Sequence, residues 1–586
     1  MFYNPPMIAA PTARDHLAAH GVAPKHPRLR ISILVAALAL ASSVRLSLAA
    51  PPPVSTDRAF IFTDVTAEAG IDFVETIGDS DMTNIVEATG VGCGFIDVDG
   101  DEFLDIYLVN GCWTSGISDP QMDPKQRAHL AHATDRLYRN RGNGTFEDIS
   151  QRAGIARPAY GMAVLAGDYD GDGDTDIYVT NFGANFLYRN EGQGTFEEVA
   201  PHAEVADEQF SVGVAFLDYD RDGALDLYVG NYLQYDPQVQ ANARQDAVVG
   251  PLEYAGQQDH LYRGEEDGTF RDVTRQAGLV IEPVGRAMGI GAFDFDNDGA
   301  IDLFVSNDAT ENYLLHNLGD GRFENEALLA GVAFSGGGQA RAAMAVESGD
   351  FNGDGLLDMV IPDMHYGCVY RNAGSGFFDD VTEPSGVAAV MNPLHGWGSV
   401  LADFDLDGRL DLFISTGDAR CMRPYPDRVF RNEGNERFSH VSESAGPYFA
   451  TRFVSRGAAR GDFDNDGDDD LLVTHLNDRP TLLRNDTPRR GHHWLGVRLV
   501  GQPPNTDALG ASVRVKAGEL QMVRQRNSAG SYLCQHDHRL LFGLGDNAAA
   551  ETLEVTWPDG STQVLTGVTG DRYVSVRQKK RPAVAR

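Results

Sequence analysis

Apolar residues along most of this chain come in short bursts, alternating with polar ones at the strand period of two and set off by glycine-rich polar stretches. Seven bursts follow the same acidic phrase, Asp-x-Asp-x-Asp-Gly-x-x-Asp, with instances starting at Asp97, Asp168, Asp218, Asp294, Asp350, Asp403 and Asp462. Their mean spacing of about 61 residues is too long for coiled coils or leucine-rich repeats. Two further phrases accompany the loops. One resembles Leu187-Tyr188-Arg189-Asn190 and recurs at Leu137, Leu261, Leu314, Val369, Val429 and Leu482. The other resembles Thr195-Phe196-Glu197-Glu198-Val199 and recurs around Phe146, Phe270, Phe323, Phe377 and Phe438.

Each repeat thus predicts four short strands: one before the acidic loop, one after it, and one for each accompanying phrase. Four strands per unit and seven units predict a seven-bladed β-propeller. The ends of the array agree. The last unit stops at Leu482-Leu483-Arg484-Asn485 without a closing strand, and the missing strand stands at the other end as Phe62-Thr63-Asp64-Val65-Thr66. An open solenoid would need caps instead. Five residues before each loop stand Gly92, Ala163, Gly213, Gly289, Ala345, Gly398 and Gly457, all small, as expected where inner strands converge on an axis.

Four carboxylates within nine residues repel one another unless a cation neutralises them. Hard oxygen ligands in this number suit calcium, with a backbone carbonyl at position seven completing the protein's share. The expected ligands of the first three loops are Asp97, Asp99, Asp101 and Asp105; Asp168, Asp170, Asp172 and Asp176; and Asp218, Asp220, Asp222 and Asp226. Those of the fourth and fifth are Asp294, Asp296, Asp298 and Asp302, then Asp350, Asn352, Asp354 and Asp358. The last two loops contribute Asp403, Asp405, Asp407 and Asp411, then Asp462, Asp464, Asp466 and Asp470. Up to seven calcium ions are implied. An EF-hand is excluded because position twelve is aliphatic, as at Leu108 and Val179, where an EF-hand places a bidentate glutamate. Loop one departs at position six, where Glu102 replaces glycine, and loop five carries the neutral Asn352. An Arg460-Gly461-Asp462 tripeptide suggests integrin adhesion, but Asp462 is the first ligand of loop seven and is expected to face the ion.

Charge sharpens this picture. The 586 residues carry a formal net charge of −37, which argues against nucleic-acid binding. Residues 489–586 differ, with 14 Lys/Arg against 8 Asp/Glu, so an acidic ring joins a basic partner and the two are expected to dock. Five cysteines exclude a disulfide-built scaffold; Cys93 and Cys112 either bridge neighbouring strands or stand as separate buried thiols. At the N-terminus Lys25, Arg28 and Arg30 precede an apolar run at 31–41, too short to span a membrane. The segment 1–49 reads as an export signal cleaved near Ala49, with a retained anchor as the alternative. Secretion or periplasmic delivery follows, with peripheral or no membrane contact.

The expected organisation is an all-β chain: a linker at 50–57, the propeller at 58–488, a small β-sandwich at 489–577 and a basic tail at 578–586. Strands of the sandwich are expected at 494–499, 511–516, 521–526, 540–542, 552–557, 563–565 and 573–576. Its phrases Asn505-x-Asp507-Ala508-Leu509-Gly510-Ala511, Leu541-Phe542-Gly543-Leu544-Gly545 and Val555-Thr556-Trp557-Pro558-Asp559-Gly560 resemble the ASPIC/UnbV domain. Together with the FG-GAP/VCBS-type repeats, residues 58–577 resemble the cartilage acidic protein (ASPIC/UnbV) family. The resemblance implies secretion, an integrin-α-like calcium-binding propeller and a role in adhesion or recognition; it implies no reaction. His536-x-His538 departs from the family phrase and is read as exposed loop histidines rather than a metal site.

The strand leaving each loop ends on the opposite face, at position fourteen: Asn110, Asn181, Asn231, Asn307, Asp363, Thr416 and His475. A polar ring there is the expected ligand-reading face, and the long insertions at 112–135 and 232–258 begin on it. The expected function is an exported, calcium-binding recognition or adhesion module for a glycan or protein. The alternative is an extracytoplasmic enzyme at the channel mouth using His365, His395, His475 or Asp363. No nucleophile triad, HExxH or phosphate-cradling phrase supports it.

Overall fold

The computed structural model describes residues 60–241 and 248–580. The expected export signal or anchor, the linker and residues 581–586 of the basic tail lie outside the described residues.

Glycine-turned hairpins and β-branched or aromatic bursts fold as antiparallel meanders. The second repeat is typical, with Gly161–Gly167, Asp176–Asn181, Phe186–Asn190 and Phe196–Glu198 pairing in chain order. Its first two strands are buried at every residue, the third buries Leu187, Tyr188 and Asn190, and only Phe196 is buried in the fourth. This gradient runs from the axis of a propeller to its rim, because inner strands are sandwiched between neighbouring sheets. Seven such four-stranded sheets occur among the described residues. One of them is completed by Phe62–Asp64 pairing antiparallel with Thr481–Asn485, so the two ends of the array close on each other. The inner strands touch in sequence round a complete circuit, from Cys93–Ile96 through the other six to Ser455–Gly461 and back to Cys93–Ile96.

The third-strand asparagine links the sheets. Asn190 Nδ2 donates to Thr175 O of its own loop (3.0 Å) and to Val98 O of the preceding one (2.9 Å). Asn140, Asn317, Asn372, Asn432 and Asn485 likewise reach the position-two carbonyl of the preceding loop. In the third repeat this position is Gly264, which has no side chain to do so.

After Asn485 the chain forms two sheets. One orders Leu540–Gly545, His493–Val500 and Arg572–Arg577; the other orders Leu520–Gln525, Ser512–Ala517, Ala549–Thr556 and Thr562–Thr569. All seven expected strands are present, with the one expected at 540–542 longer by three residues and the one expected at 563–565 longer by five. Leu495, Val497, Phe542, Val513, Leu553 and Trp557 share their core.

Between these strands residues 526–539 run into the propeller axis. Gln535 bridges Gly94 in parallel, Val164 N donates to Leu533 O, and the Tyr532 hydroxyl donates to Thr89 O. The small axial residues have two causes. A Cβ on Gly213, Gly289 or Gly398 would meet the next inner strand, 2.7 Å from Met288 O, 2.6 Å from Ala345 Cα and 2.9 Å from Ala458 N, which is the expected crowding. Gly92 and Gly457 instead make room for residues 526–539. A Cβ on Gly92 would lie 1.7 Å from Leu533 O, and one on Gly457 would lie 2.6 Å from Cys534 Sγ. Beyond Tyr532 the channel is filled by Trp397, the buried Arg456 3.8 Å over its ring, and the short helix Ile85–Thr89.

Candidate metal centres and the two faces of the ring

Loop two shows how the acidic phrase folds. Asp168 accepts from Asp172 N and Gly173 N (3.0 and 2.8 Å), Asp170 from Asp172 N, and Asp172 from Asp174 N. Positions four and six lie in the left-handed region in every loop, including Arg221, Leu406 and, in place of glycine, Glu102 at φ 70°. These turns bring one oxygen each of Asp168, Asp170 and Asp176 within 4.8 Å of one another. The same holds for Asp218, Asp220 and Asp226, for Asp294, Asp296 and Asp302, and for Asp97, Asp99 and Asp101.

Position nine also has a structural role. Asp176 accepts from Tyr169 N and Asn190 N, tying the loop to the third strand. Asp105, Asp226, Asp302, Asp358, Asp411 and Asp470 make the same pair of bonds. Burial pushes these carboxyls up, Asp105 and Asp358 to about 8 and Asp176 to about 9, and neighbouring aspartates add to the shift. Asp168, Asp218 and Asp294 are pushed up to about 6 by burial. Several buried carboxylate oxygens have no partner in the protein: Oδ1 of Asp99, Asp218, Asp405 and Asp464. Clustered hard oxygens, some without a donor, fit a calcium-sized cation.

Two ligand-shell features escaped the sequence reading. In three loops the third-strand arginine reaches the position-three carboxylate, with Arg139–Asp99 at 2.5 Å, Arg263–Asp220 at 2.7 Å and Arg431–Asp405 at 2.6 Å, whereas Arg189, Arg371 and Arg484 pair with Glu191, Asp379 and Asp486. Its recurrence in the Leu-Tyr-Arg-Asn phrase was the available signal. In loop seven Asp468 at position seven is buried, carries an unpartnered Oδ1 and is pushed up to about 9, first by burial and then by Asp466 and Asp462. That loop therefore gathers a fifth carboxylate.

The C-terminal domain lies over this face and touches all seven loops. Arg498 pairs with Glu102 (2.8 Å), Thr506 donates to Asp168, whose N–H donates to Asp507, and Pro504 packs on Gly223. Asp294 N donates to Gln525, Arg514 lies against Gly355, and Gly545 N donates to Leu406 O. The Tyr573 hydroxyl donates to Asp462 (2.7 Å), and Trp494 covers Gly467. The Arg-Gly-Asp tripeptide is accordingly inaccessible: Gly461 and Asp462 are buried, and Arg460 faces Asp469. His536 and His538 are not exposed loop residues. His536 bonds Glu347 (3.1 Å) at the domain junction, and burial lowers His538 to about 4.

On the opposite face the position-fourteen side chains are buried and consumed by their own loops. Asn110 Oδ1 accepts from Thr76 N and its Nδ2 donates to Thr134 O; Asn181 donates to Ala184 O and Asn231 to Gln258 O. Asn307 accepts from Arg286 N, Asp363 from Tyr366 N and Gly367 N, and Thr416 donates to Pro426 O. His475 sits between Ser455 and Thr481 and stacks on Phe453 at 4.1 Å; burial lowers it to about 3. Burial withdraws these seven side chains from the surface, so they do not form the expected reading face, although Asn181 Oδ1 and Asp363 Oδ2 keep no hydrogen-bond partner. His365 and His395 do come together, ring centroids 4.7 Å apart, in a cavity of about 620 Å³ lined also by Asp418, Arg420, Cys421, Arg423 and Tyr425. His395 Nδ1 accepts from Ala419 N, leaving the ring proton on Nε2, and burial lowers its pKa to about 4.

Comparison with known proteins follows the same division. Residues 97–179, 168–229, 241–305, 294–361, 350–414 and 403–473 match the FG-GAP-like repeat, and residues 501–583 match the ASPIC and UnbV family. Cartilage acidic protein 1 of Homo sapiens is 28% identical over 493 residues, which are 81% of this chain and 60% of that protein. The Xenopus tropicalis protein of the same name is 27% identical, covering 81% and 62%. The chain thus spans about three-fifths of the length of these curated relatives. Among solved structures, a lectin from Burkholderia pseudomallei aligns with a TM-score of 0.41 at 10% identity, covering 68% of this chain and 97% of that one. An Agrocybe aegerita lectin that recognises non-reducing terminal N-acetylglucosamine aligns at 0.37 and 17% identity, covering 61% and 89%. No helix among the described residues is long and apolar enough to cross a membrane.

Proposed function

Because the chain belongs to the FG-GAP-like repeat family and carries an ASPIC and UnbV module, we propose that it is an exported recognition scaffold. In this reading each of the seven loops holds one calcium ion, and the face opposite them binds a glycan or protein ligand. The carrying observation is the contrast of faces. The C-terminal domain touches every acidic loop, whereas the cavity at His365 and His395 opens on the other side. Calcium would supply positive charge to carboxylates that otherwise repel. The protein's own share is to converge the oxygens, hold position nine through two backbone N–H groups and, in three loops, brace position three with arginine.

The domain boundaries at 488 and 577 belong to the same proposal. The ligand contacts are reassigned from the position-fourteen ring to the cavity residues His365, His395, Arg420, Arg423 and Tyr425. A glycan and protein array probed with and without calcium tests this reading. Binding lost with calcium and weakened at least tenfold by Arg420→Ala with Arg423→Ala is the expected result. Binding that survives both changes refutes it.

The approach of His365 to His395 beside Cys421 keeps the enzyme reading in view. Asp363 and His475, the other residues it offered, are buried in packing. Turnover of any screened substrate, abolished by His395→Ala, would favour it.

A further inference from the structure

We propose that Cys93 and Cys534 form a disulfide that fastens the axial segment of the C-terminal domain inside the propeller. Their thiol sulfurs lie 3.6 Å apart, although 441 positions separate them in sequence. The sequence had offered Cys112 as the partner of Cys93, but Cys112 contacts Thr114 at the start of its insertion.

The backbone around the pair is held in register. Gln535 N donates to Cys93 O (3.0 Å) and Phe95 N donates to Gln535 O (3.1 Å), a parallel bridge centred on Gly94 and Gln535. Cys93 and Cys534 each precede that bridged pair by one residue, so their side chains leave the same side of the ribbon. Neighbouring strands lie about 4.8 Å apart, within the roughly 4.4–6.8 Å window of Cα separations that disulfides span. Room for the second sulfur exists because Gly457 has no Cβ; one would lie 2.6 Å from Cys534 Sγ. Both cysteines are buried in one apolar cluster with Phe95, Leu472 and Ala459, out of reach of small reductants once docked.

The bond forms by thiol–disulfide exchange. The thiolate of one cysteine attacks a disulfide oxidant such as oxidised glutathione, releasing one glutathione thiol and leaving a mixed disulfide. The second cysteine loses its proton and displaces the other glutathione. Two protein thiols thus become one S–S bond, and the oxidant takes up two electrons and two protons as two thiols. Burial, with the Cys534 thiol beside it, holds Cys93 well above its usual range, so exchange belongs to the moment the segment enters the ring. The consequence is a permanent cover on the acidic-loop face, and an oxidising compartment agrees with the export reading.

The full chain, reduced and denatured, is refolded with calcium in a reduced and oxidised glutathione buffer, then alkylated in denaturant. The expected result is a peptide linking Cys93 to Cys534, with Cys112, Cys368 and Cys421 carrying the label. Before alkylation the refolded chain weighs about 2 Da less than its reduced form. Proteolysis within the link at 486–492 should leave two fragments joined without reductant and separate with it; Cys421→Ser should keep that behaviour and Cys534→Ser should lose it. Five labelled cysteines in folded protein, or Cys93 linked to Cys112, overturns the proposal. If Cys534→Ser fails to fold, peptide mapping of the unsubstituted chain decides alone.

Discussion

On the loop face of the ring, the repeat turns carboxylates toward one another, leaves some of their oxygens without donors, and lies beneath a basic domain. On the opposite face, the same repeat ends its strands in polar side chains that are buried under the returning loops, most of them satisfied there, with Asn181 Oδ1 and Asp363 Oδ2 left without a hydrogen-bond partner. Asp99 and Asp405 keep an unpartnered oxygen, while Asn110 and Asn231 have both ends of their amide engaged or buried. The contrast teaches that polarity does not mark a binding surface. What separates the two is access: the ring side chains are buried, including the unpartnered oxygens of Asn181 and Asp363, whereas the cavity at His365 and His395 is open.

If the loops hold calcium as proposed, its removal should break this contrast most severely. Occupancy at ten to a hundred times Kd stabilises by about 1.4–2.7 kcal/mol per site, so seven independent sites contribute at most roughly 10–19 kcal/mol. Melting with a chelator should fall by roughly 10–20 °C relative to melting with calcium. Equal midpoints would show that the loops hold together without an ion.

The cover can be forced off next. Gly92→Ala places a methyl group 1.7 Å from Leu533 O, where backbone rather than a flexible side chain must yield. A loss of about 3 kcal/mol is expected, with faster proteolysis in the link at 486–492 and unchanged calcium stoichiometry.

On the open side, Glu87 sharpens the comparison through pH. It caps the helix Ile85–Thr89 by accepting from Thr83 N and Asn84 N, and burial pushes its carboxyl up to about 8, which those N–H donors only partly offset. Because the folded value is raised, the protonated form is favoured by folding. Its contribution is complete below about pH 4.5 and is lost as pH rises through about 8. Denaturation between pH 5 and 8 should carry a decline of about 2–3 kcal/mol that Glu87→Gln lacks. Parallel pH profiles for both proteins would remove this assignment.

The smallest expected effect belongs to the seams between sheets. Asn190→Ala removes two buried donors and leaves Thr175 O and Val98 O to find others, a loss of about 1–2 kcal/mol by chemical denaturation. Gly264→Asn does not belong with these small effects, because its Cβ would lie 2.4 Å from Leu225 O, so the third repeat should be destabilised rather than repaired by it.

The parts read directly from the chain were those that repeat at constant offsets. Strand, acidic loop and strand again are written in neighbouring residues, and Phe62 could be matched to the last unit because its phrase was the one that unit lacked. The interlocking asparagine stood within a phrase that was read only as a strand. Its second partner is a carbonyl in the preceding sheet, 92 positions from Asn190 and 323 from Asn140, and carries no side-chain signature. The position-fourteen ring was read as a surface because each residue is polar and ends a strand. Its loss to packing depends on where the next loop returns, as at Gln258 for Asn231 and Pro426 for Thr416, and each return is decided individually.

By itself the sequence determined what short-range chemistry can determine: the strands, the left-handed turns, the acidic phrases with their need for a counter-charge, and the charge opposition between ring and C-terminal domain. Tertiary structure decided which face stays open, which small residues make room for residues 526–539, and which of five cysteines meet. Those outcomes join residues hundreds of positions apart. Contacts of that kind leave no periodic trace in the chain and come into being only when the ring has closed around its axis.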